Sequence, residues 1–260
     1  MTRLVRVAGG KTVGPLEKNY ADVAPVYDQT RYLNRKAQFT SRCETKLLRS
    51  ILAPFGRSDK VLVDVACGTG HFTLQVAELF GTTVGIDLTS EMLHAARNKS
   101  RSIGRTNVCF VQASANALPF APDTADVVMT TRFLHLFPRE QHAGVVEGLL
   151  RIVRPGGMLV VEHDGPFPEF VSWIWRVVRR RRKESWSSYG SGAPPSGARC
   201  IRDVGVSAPG LPSLALIWPA ASQWLSRWFV MAPLRPLATF RVLVYRKPDR
   251  SERIRSDVGA

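Results

Sequence analysis

The stretch Val61-Leu-Val-Asp-Val-Ala-Cys-Gly-Thr-Gly70 constrains this chain more than any other. Residues 60–66 read as a buried strand, two glycines turn the chain, and residues 71–80 read as a helix. Gly68 and Gly70 permit positive φ and leave room for a ligand where a Cβ would stand in the way. The helix that follows opens with N–H groups that lack intrahelical partners. The alternation then continues, with strands expected at 83–87, 108–111, 125–130 and 158–162. Between them lie a helix from Ser90 as N-cap to about Asn98 and another over 139–153, ended by Pro155-Gly156-Gly157. Short all-apolar strands alternating with helices imply parallel strands covered on both faces. The expected fold class is therefore α/β, a doubly wound, mostly parallel sheet.

Asp87 ends the second strand, and the carboxyl ends of neighbouring strands in such a sheet face one crevice. Its carboxylate can accept hydrogen bonds from both hydroxyls of a ribose. A nicotinamide dinucleotide would use a similar turn, but its fingerprint is Gly-x-Gly-x-x-Gly. Here the series is Gly68-Thr-Gly-His-Phe-Thr73, and the third glycine is missing. Asp64, within the strand end, would repel a phosphate and suit a cation. The turn thus favours a nucleoside bearing an amino acid and a sulfonium. The plainer alternative is that both glycines only shape a tight turn.

VDVACGTG, GIDLTSEMLHAAR, ANALPFAPDTADVV and LLRIVRPGGMLVVE occur here in order. Over about residues 61–163 the chain resembles the class I S-adenosylmethionine-dependent methyltransferases, which are Rossmann-like. It looks most similar to the branch with type 11 domains and the ubiquinone/menaquinone-biosynthesis C-methyltransferases. YADVAPVYDQTRY also looks like that branch's N-terminal segment, which covers the cofactor. The resemblance implies S-adenosylmethionine as cofactor, with Asp64 near the amino group of its methionine part and Ala66, Cys67, Gly68 and Gly70 lining it through backbone. It implies Asp87 on the ribose, Leu88 and Met92 on the adenine, Thr130 and Thr131 by the methionine part, and Tyr27 over the cofactor. The family usually has Asp-Ala after the third strand, at the adenine amino group. This chain has Ser114-Ala115, so that contact falls to a neutral hydroxyl, to Asn116 or to water.

Methyl transfer is an in-line displacement that needs alignment and dryness more than acid–base help. Where an acceptor must lose a proton, His135 after the fourth strand and His163 after the fifth are the catalytic candidates. The plainer reading packs His135 beside Phe133 and Phe137 and lets His163 cap its strand. His71, at the start of the helix after the glycine turn, reads as a helix-start residue. No metal site is expected: Cys43, Cys67, Cys109 and Cys200 lie far apart with no Cys-x-x-Cys pair. They fit a reducing, cytoplasmic setting better than a disulfide framework.

The net charge of +15 is uneven. Residues 1–60 hold twelve basic and five acidic side chains, 61–165 hold eight and ten, and 166–260 hold sixteen and six. The expected organisation is a flexible start (1–15), a cap segment (16–57), a cofactor-binding core (58–165), an acceptor-pocket region (166–248) and a flexible tail (249–260). The cap includes a helix at about 36–52. The acceptor region holds a Ser/Gly/Pro-rich loop at 187–213, a helical stripe at 214–229 and a closing antiparallel strand at 240–245.

All six tryptophans lie in the acceptor region, with Trp173 and Trp175 beside a basic run from Arg179 to Lys183. Tryptophan next to Arg and Lys suits an anionic membrane surface, and so a small, hydrophobic, quinol-, phenol-, amine- or lipid-like acceptor. Solvated charge and core tryptophans are the plainer account. No signal peptide is expected in MTRLVRVAGGKTVGP, and prolines and Arg227 interrupt the apolar segment 211–234 as a membrane span. Nucleic acid is the competing partner, because arginine runs also bind phosphates. Against it, the fourth strand ends in Thr130-Thr131-Arg132-Phe133, without the Asn/Asp-Pro-Pro-aromatic motif of enzymes acting on exocyclic amino groups. A catalytically silent binding protein is a third reading. Oligomeric state is left open.

Overall fold

The structure, a computed structural model, describes residues 16–164, 197–207 and 240–249. Helices α1 (Leu16–Val23), α2 (Tyr27–Tyr32) and α3 (Arg35–Leu52) precede the sheet. Then come β1 (Val61–Val65), α4 (His71–Val76), β2 (Thr82–Asp87), α5 (Ser90–Ser102), β3 (Val108–Gln112) and β4 (Ala125–Thr130). The described elements end with α6 (Arg139–Ile152), β5 (Val153–Asp164), β6 (Arg199–Ser207) and β7 (Phe240–Arg246).

The strands form one sheet in the order β3-β2-β1-β4-β5-β7-β6. The first five are parallel, and β7 runs antiparallel to both β5 and β6. Alternation along each strand divides the core. Val63 and Val65 of β1, Val128 of β4 and Leu159 and Val161 of β5 pack with Val146 and Leu149 of α6. Leu62, Val127, Met129, Met158 and Val160 face the other way, onto Leu48, Ile51 and Leu52 of α3 and Phe72 and Val76 of α4. Both faces are covered, which is why these strands read as unbroken apolar runs.

The sequence reading errs in three places. Residues 199–207, expected within a loop, are the edge strand β6, so the sheet has an additional strand beyond the expected antiparallel one, β7. Arg199, Arg202 and Asp203 interrupt the apolar pattern, and the register shifts between Cys200 and Arg202 and between Gly205 and Ser207. An edge strand with one buried neighbour tolerates both, and its charges discourage further pairing. Second, the N-cap of α5 is Thr89, without a side-chain bond, while Ser90 is already helical and its hydroxyl bonds Glu91. Third, β5 starts at Val153, so Pro155-Gly156-Gly157 lies within the strand segment.

The expected helical stripe at 214–229, the apolar segment 211–234, all six tryptophans, the basic run and the expected flexible start lie outside the described residues. Of the described helices, none is long and apolar enough to cross a membrane.

Candidate functional site

The parallel strands bring Val65, Asp87 and Thr130 to one edge, and the glycine turn is built there. The ladder between β1 and β2 runs one bond past the strand, from Cys67 N–H to the Ile86 carbonyl at 2.8 Å. The turn needs left-handed backbone at Gly68 (φ +53°) and Gly70 (φ +72°), and Ala66 joins them at +61°. A non-glycine residue held there costs about 1–3 kcal/mol, a strain that clusters at functional sites. A Cβ placed on Gly68 would meet nothing within 4 Å, so a ligand can approach that backbone. A Cβ on Gly70 would press on Ala96 and the Phe110 ring at 3.2–3.3 Å, so that glycine serves packing as well.

Asp87 fastens the turn. Its Oδ2 accepts the Gly68 N–H at 2.8 Å and its Oδ1 accepts the Thr89 N–H at 2.9 Å. A carboxylate has about four acceptor directions, so capacity remains for a ligand. Burial raises its pKa, against the opposing pull of the Thr89 and Gly68 N–H groups.

Asp64 lies deeper, 1% exposed. Thr73 Oγ1 donates to its Oδ2 at 2.5 Å. Its Oδ1 is buried and has no hydrogen-bond partner among the described residues. Burial pushes the carboxyl up to about 7, helped by the nearby Asp87 charge and opposed by the Thr73 bond. A cationic group would recover the desolvation cost of this carboxylate.

Beyond the turn, Met92 on α5 is buried and Leu88 half-buried. Gln112 Nε2 donates to the Leu88 carbonyl at 2.9 Å, tying the ends of β2 and β3 together. Ser114 and Ala115 are half-buried just after β3, and Ser114 Oγ accepts the Asn116 N–H at 3.2 Å. Thr130 is fully buried, and its hydroxyl donates to the Val65 carbonyl at 2.8 Å, so it braces β1 from β4. Thr131 is 9% exposed.

The cap reaches the same edge. Tyr27 opens α2, and its ring lies 6.3 Å from the rings of both Tyr20 and Tyr32. Asp28, the next residue, accepts from Thr69 Oγ1 at 2.6 Å and from Lys99 Nζ at 2.7 Å. One cap carboxylate thus grips the residue between the two turn glycines and the helix behind it. Tyr32 stacks on His71 with ring centroids 3.7 Å apart and planes 7° from parallel. His71 starts α4 as expected, and its Nε2 also lies 2.6 Å from Ser41 Oγ of α3. Burial, with Lys99 nearby, lowers its pKa to about 4, so the imidazole is neutral at pH 7.

A buried ion pair sits beside this cap. Arg132, the first residue past Thr131, has φ +50° and pairs with Glu44 of α3. Its guanidinium lies 5.5 Å from the Tyr32 and Phe72 ring centroids and 5.8 Å from that of Phe240. Sequence reasoning missed Asp28, Thr69, Glu44 and Arg132 as site residues. The one local trace of Arg132 is its place after a strand end.

His135 is half-buried in a 3-10 turn over Leu134–Leu136, between Phe133 and Phe137, whose rings meet edge-on at 4.9 Å. His163 is buried within β5, opposite Arg241 of β7, so it lies inside the strand and does not cap it. Among the described residues, no group of three His, Cys, Asp or Glu side chains could hold a metal ion.

Residues 62–157 match a family model described as a methyltransferase domain. An uncharacterized methyltransferase of Mycobacteroides abscessus is 24% identical over 204 residues, 72% of this chain and 76% of that one. The demethylmenaquinone methyltransferase of Shouchella clausii is 35% identical over 101 residues, 38% of this chain and 42% of that one. A ubiquinone/menaquinone biosynthesis C-methyltransferase of Klebsiella pneumoniae is 36% identical over 121 residues, 45% of this chain and 47% of that one. The alignments thus span less than half the length of the latter two relatives. Among solved structures, magnesium protoporphyrin IX methyltransferase from Synechocystis, with bound SAH, aligns over 89% of this chain and 98% of that one (TM-score 0.64, 11% identity). The [4+2]-cyclase SpnF aligns over 90% and 95% (TM-score 0.59, 18% identity). These likenesses show the fold, which in those two proteins carries two different activities.

Proposed function

We propose, from the premise that this chain carries a class I methyltransferase domain taking S-adenosylmethionine and related to the ubiquinone/menaquinone C-methyltransferase branch, that the whole protein methylates a small, hydrophobic acceptor. The observation that carries the reading is Asp64. A carboxylate buried to 1% exposure, with one oxygen lacking a partner among the described residues, stands behind an open glycine turn. Its chemistry fits the ammonium of a methionine moiety. S-adenosylmethionine would supply the electrophilic methyl; everything else falls to this chain.

In this reading Asp64 answers the amino group, and the backbone of Ala66, Cys67, Gly68 and Gly70 lines the methionine part. Asp87 takes the ribose hydroxyls with its remaining acceptor capacity. Leu88 and Met92 flank the adenine, and Ser114 with Ala115 border its edge. Thr130 and Thr131 border the methionine part; since the Thr130 hydroxyl already bonds Val65, Thr131 is the freer of the two. Tyr27 lies over the sulfonium, where a cation–π contact contributes ~0.5–2 kcal/mol. Residues 16–57 act as the cap, 58–165 as the cofactor core and 166–248 as the acceptor region. Holding donor and acceptor in line supplies up to roughly 7–11 kcal/mol of the acceleration. His135 or His163 would take a proton where the acceptor requires it. The Trp173, Trp175 and Arg179-to-Lys183 segment supports a cytoplasmic protein that meets its acceptor at an anionic membrane surface.

Calorimetry with S-adenosylhomocysteine tests the cofactor site. Binding is expected, with Asp87→Ala losing charged hydrogen bonds worth ~1.5–3 kcal/mol each. A wild-type protein that takes up no ligand sinks the reading. A labelled-methyl screen over quinols, phenols, amines and RNA then decides the acceptor. A product heavier by one methyl separates this reading from a cyclase-like or silent use of the fold.

A further inference from the structure

Arg132 and Glu44 take no part in the cofactor site just described. Arg132 follows Thr131 at the carboxyl edge of the sheet, where open α/β sheets bind ligands. Its left-handed backbone, φ +50°, aims the side chain back toward the cap. The Arg132 side chain is 13% exposed and that of Glu44 1%. One hydrogen bond joins them, from Arg132 Nη2 to Glu44 Oε2. Arg132 Nε and Glu44 Oε1 are both buried, and among the described residues neither has a hydrogen-bond partner. A guanidinium beside a carboxylate often closes a two-bond fork. Here one donor and one acceptor of the same ion pair are left over.

The surroundings narrow what could use them. The rings of Tyr32, Phe72 and Phe240 lie close to the guanidinium. Glu162, 1% exposed, also acts on it electrostatically. An anion could accept from Arg132 Nε, but it has no proton to give Glu44 Oε1 and would stand against that carboxylate. A cation would satisfy Glu44 but not Nε, which needs an acceptor atom. A neutral hydroxyl answers both: its O–H donates to Glu44 Oε1, and its oxygen accepts from Arg132 Nε.

We infer that Arg132 and Glu44 form the binding pair for a hydroxyl group on the methyl acceptor, an inference that rests on the methyltransferase reading above. An acceptor without the hydroxyl leaves both buried atoms unsatisfied, and a site built this way rejects such analogues strongly.

The test measures methyl transfer from labelled S-adenosylmethionine to a panel of hydroxyarenes and to their deoxy and amino counterparts. Wild type, Glu44→Ala, Glu44→Gln and Arg132→Lys are compared, each also titrated with S-adenosylhomocysteine. Wild type should prefer the hydroxylated members. Glu44→Ala and Arg132→Lys should lose tenfold or more in kcat/KM on those members, and with it the preference over deoxy counterparts. Their S-adenosylhomocysteine affinity should stay within threefold of wild type. Glu44→Gln, which keeps an acceptor oxygen, should retain more of the preference than Glu44→Ala. Arg132→Lys carries the comparison should Glu44→Ala fail to fold. The inference is overturned if the preference survives in folded Arg132→Lys. It is equally overturned if wild type favours deoxy or amino members, or methylates no hydroxylated one while binding S-adenosylhomocysteine. Absence of that binding in wild type overturns the methyltransferase reading instead.

Discussion

Asp28 accepts a hydrogen bond from Thr69 Oγ1 at 2.6 Å across 41 residues of sequence, and Lys99 Nζ closes on its other oxygen at 2.7 Å. Thr69 sits between the two glycines that give the turn its shape, so the cap is fastened to the part of the backbone a cofactor would touch.

Breaking that fastening should therefore reach the cofactor site. Asp28→Ala should weaken S-adenosylhomocysteine binding by ~1–2 kcal/mol, since a charged hydrogen bond and a half-exposed ion pair are both lost. Thr69→Val should do nearly as much, and the double variant should add little to either. Fully additive losses in calorimetry would show that the two side chains act separately.

Asp64 gives a pH dependence of known sign. Its carboxyl is raised to about 7, so between about pH 4 and 7 the folded state holds a proton that the unfolded chain has released. Stability contributed by this group is therefore lost as pH rises through that window. Asp87, also raised, acts in the same direction. Asp64→Asn should flatten the decline in melting temperature from pH 4 to 7. Affinity for the cationic cofactor should rise as pH passes about 7 in wild type and stay level in the variant. A wild-type affinity that falls over this range would be contrary to the assignment.

His71 pulls the other way. Its pKa is lowered to about 4, so the unfolded chain binds a proton below about pH 6.5 that the folded state refuses. Its contribution is present in full above about 6.5 and lost as pH falls toward 4, on the order of 3 kcal/mol. His71→Phe, which keeps a ring against Tyr32, should remove that acid-side loss. Melting curves of both single variants over pH 4–7 would separate the two opposed slopes.

Neutralising the basic run from Arg179 to Lys183 should abolish co-sedimentation with anionic vesicles at low salt and leave S-adenosylhomocysteine affinity nearly unchanged. Wild-type protein that stays in the supernatant removes the membrane proposal. Retention on RNA instead would favour the competing partner.

The strand–helix alternation, the turn and the position of Asp87 were legible because each depends on near neighbours. β1 is five apolar-flanked residues, the turn is set by Gly68 and Gly70, and Asp87 ends the next strand. β6 was not legible. Arg199, Arg202 and Asp203 read as loop residues, and the strand exists because β7 offers it an edge to pair with. The start of α5 was misplaced by one residue, because Ser90 is an intrinsically good cap and only the folded backbone, extended at Thr89 (φ −92°, ψ +115°), shows that the helix begins with it.

Periodicity and backbone permission are properties of adjacent residues, so the amino-acid sequence by itself determined the layered sheet, the bend after β1 and the acidic residues beside it. Asp28 on Thr69, and Glu44 on Arg132 across 88 residues, were decided only by the tertiary structure. Nothing local marks either carboxylate, because a carboxylate's partner and its desolvation are fixed by whatever the folded chain brings against it.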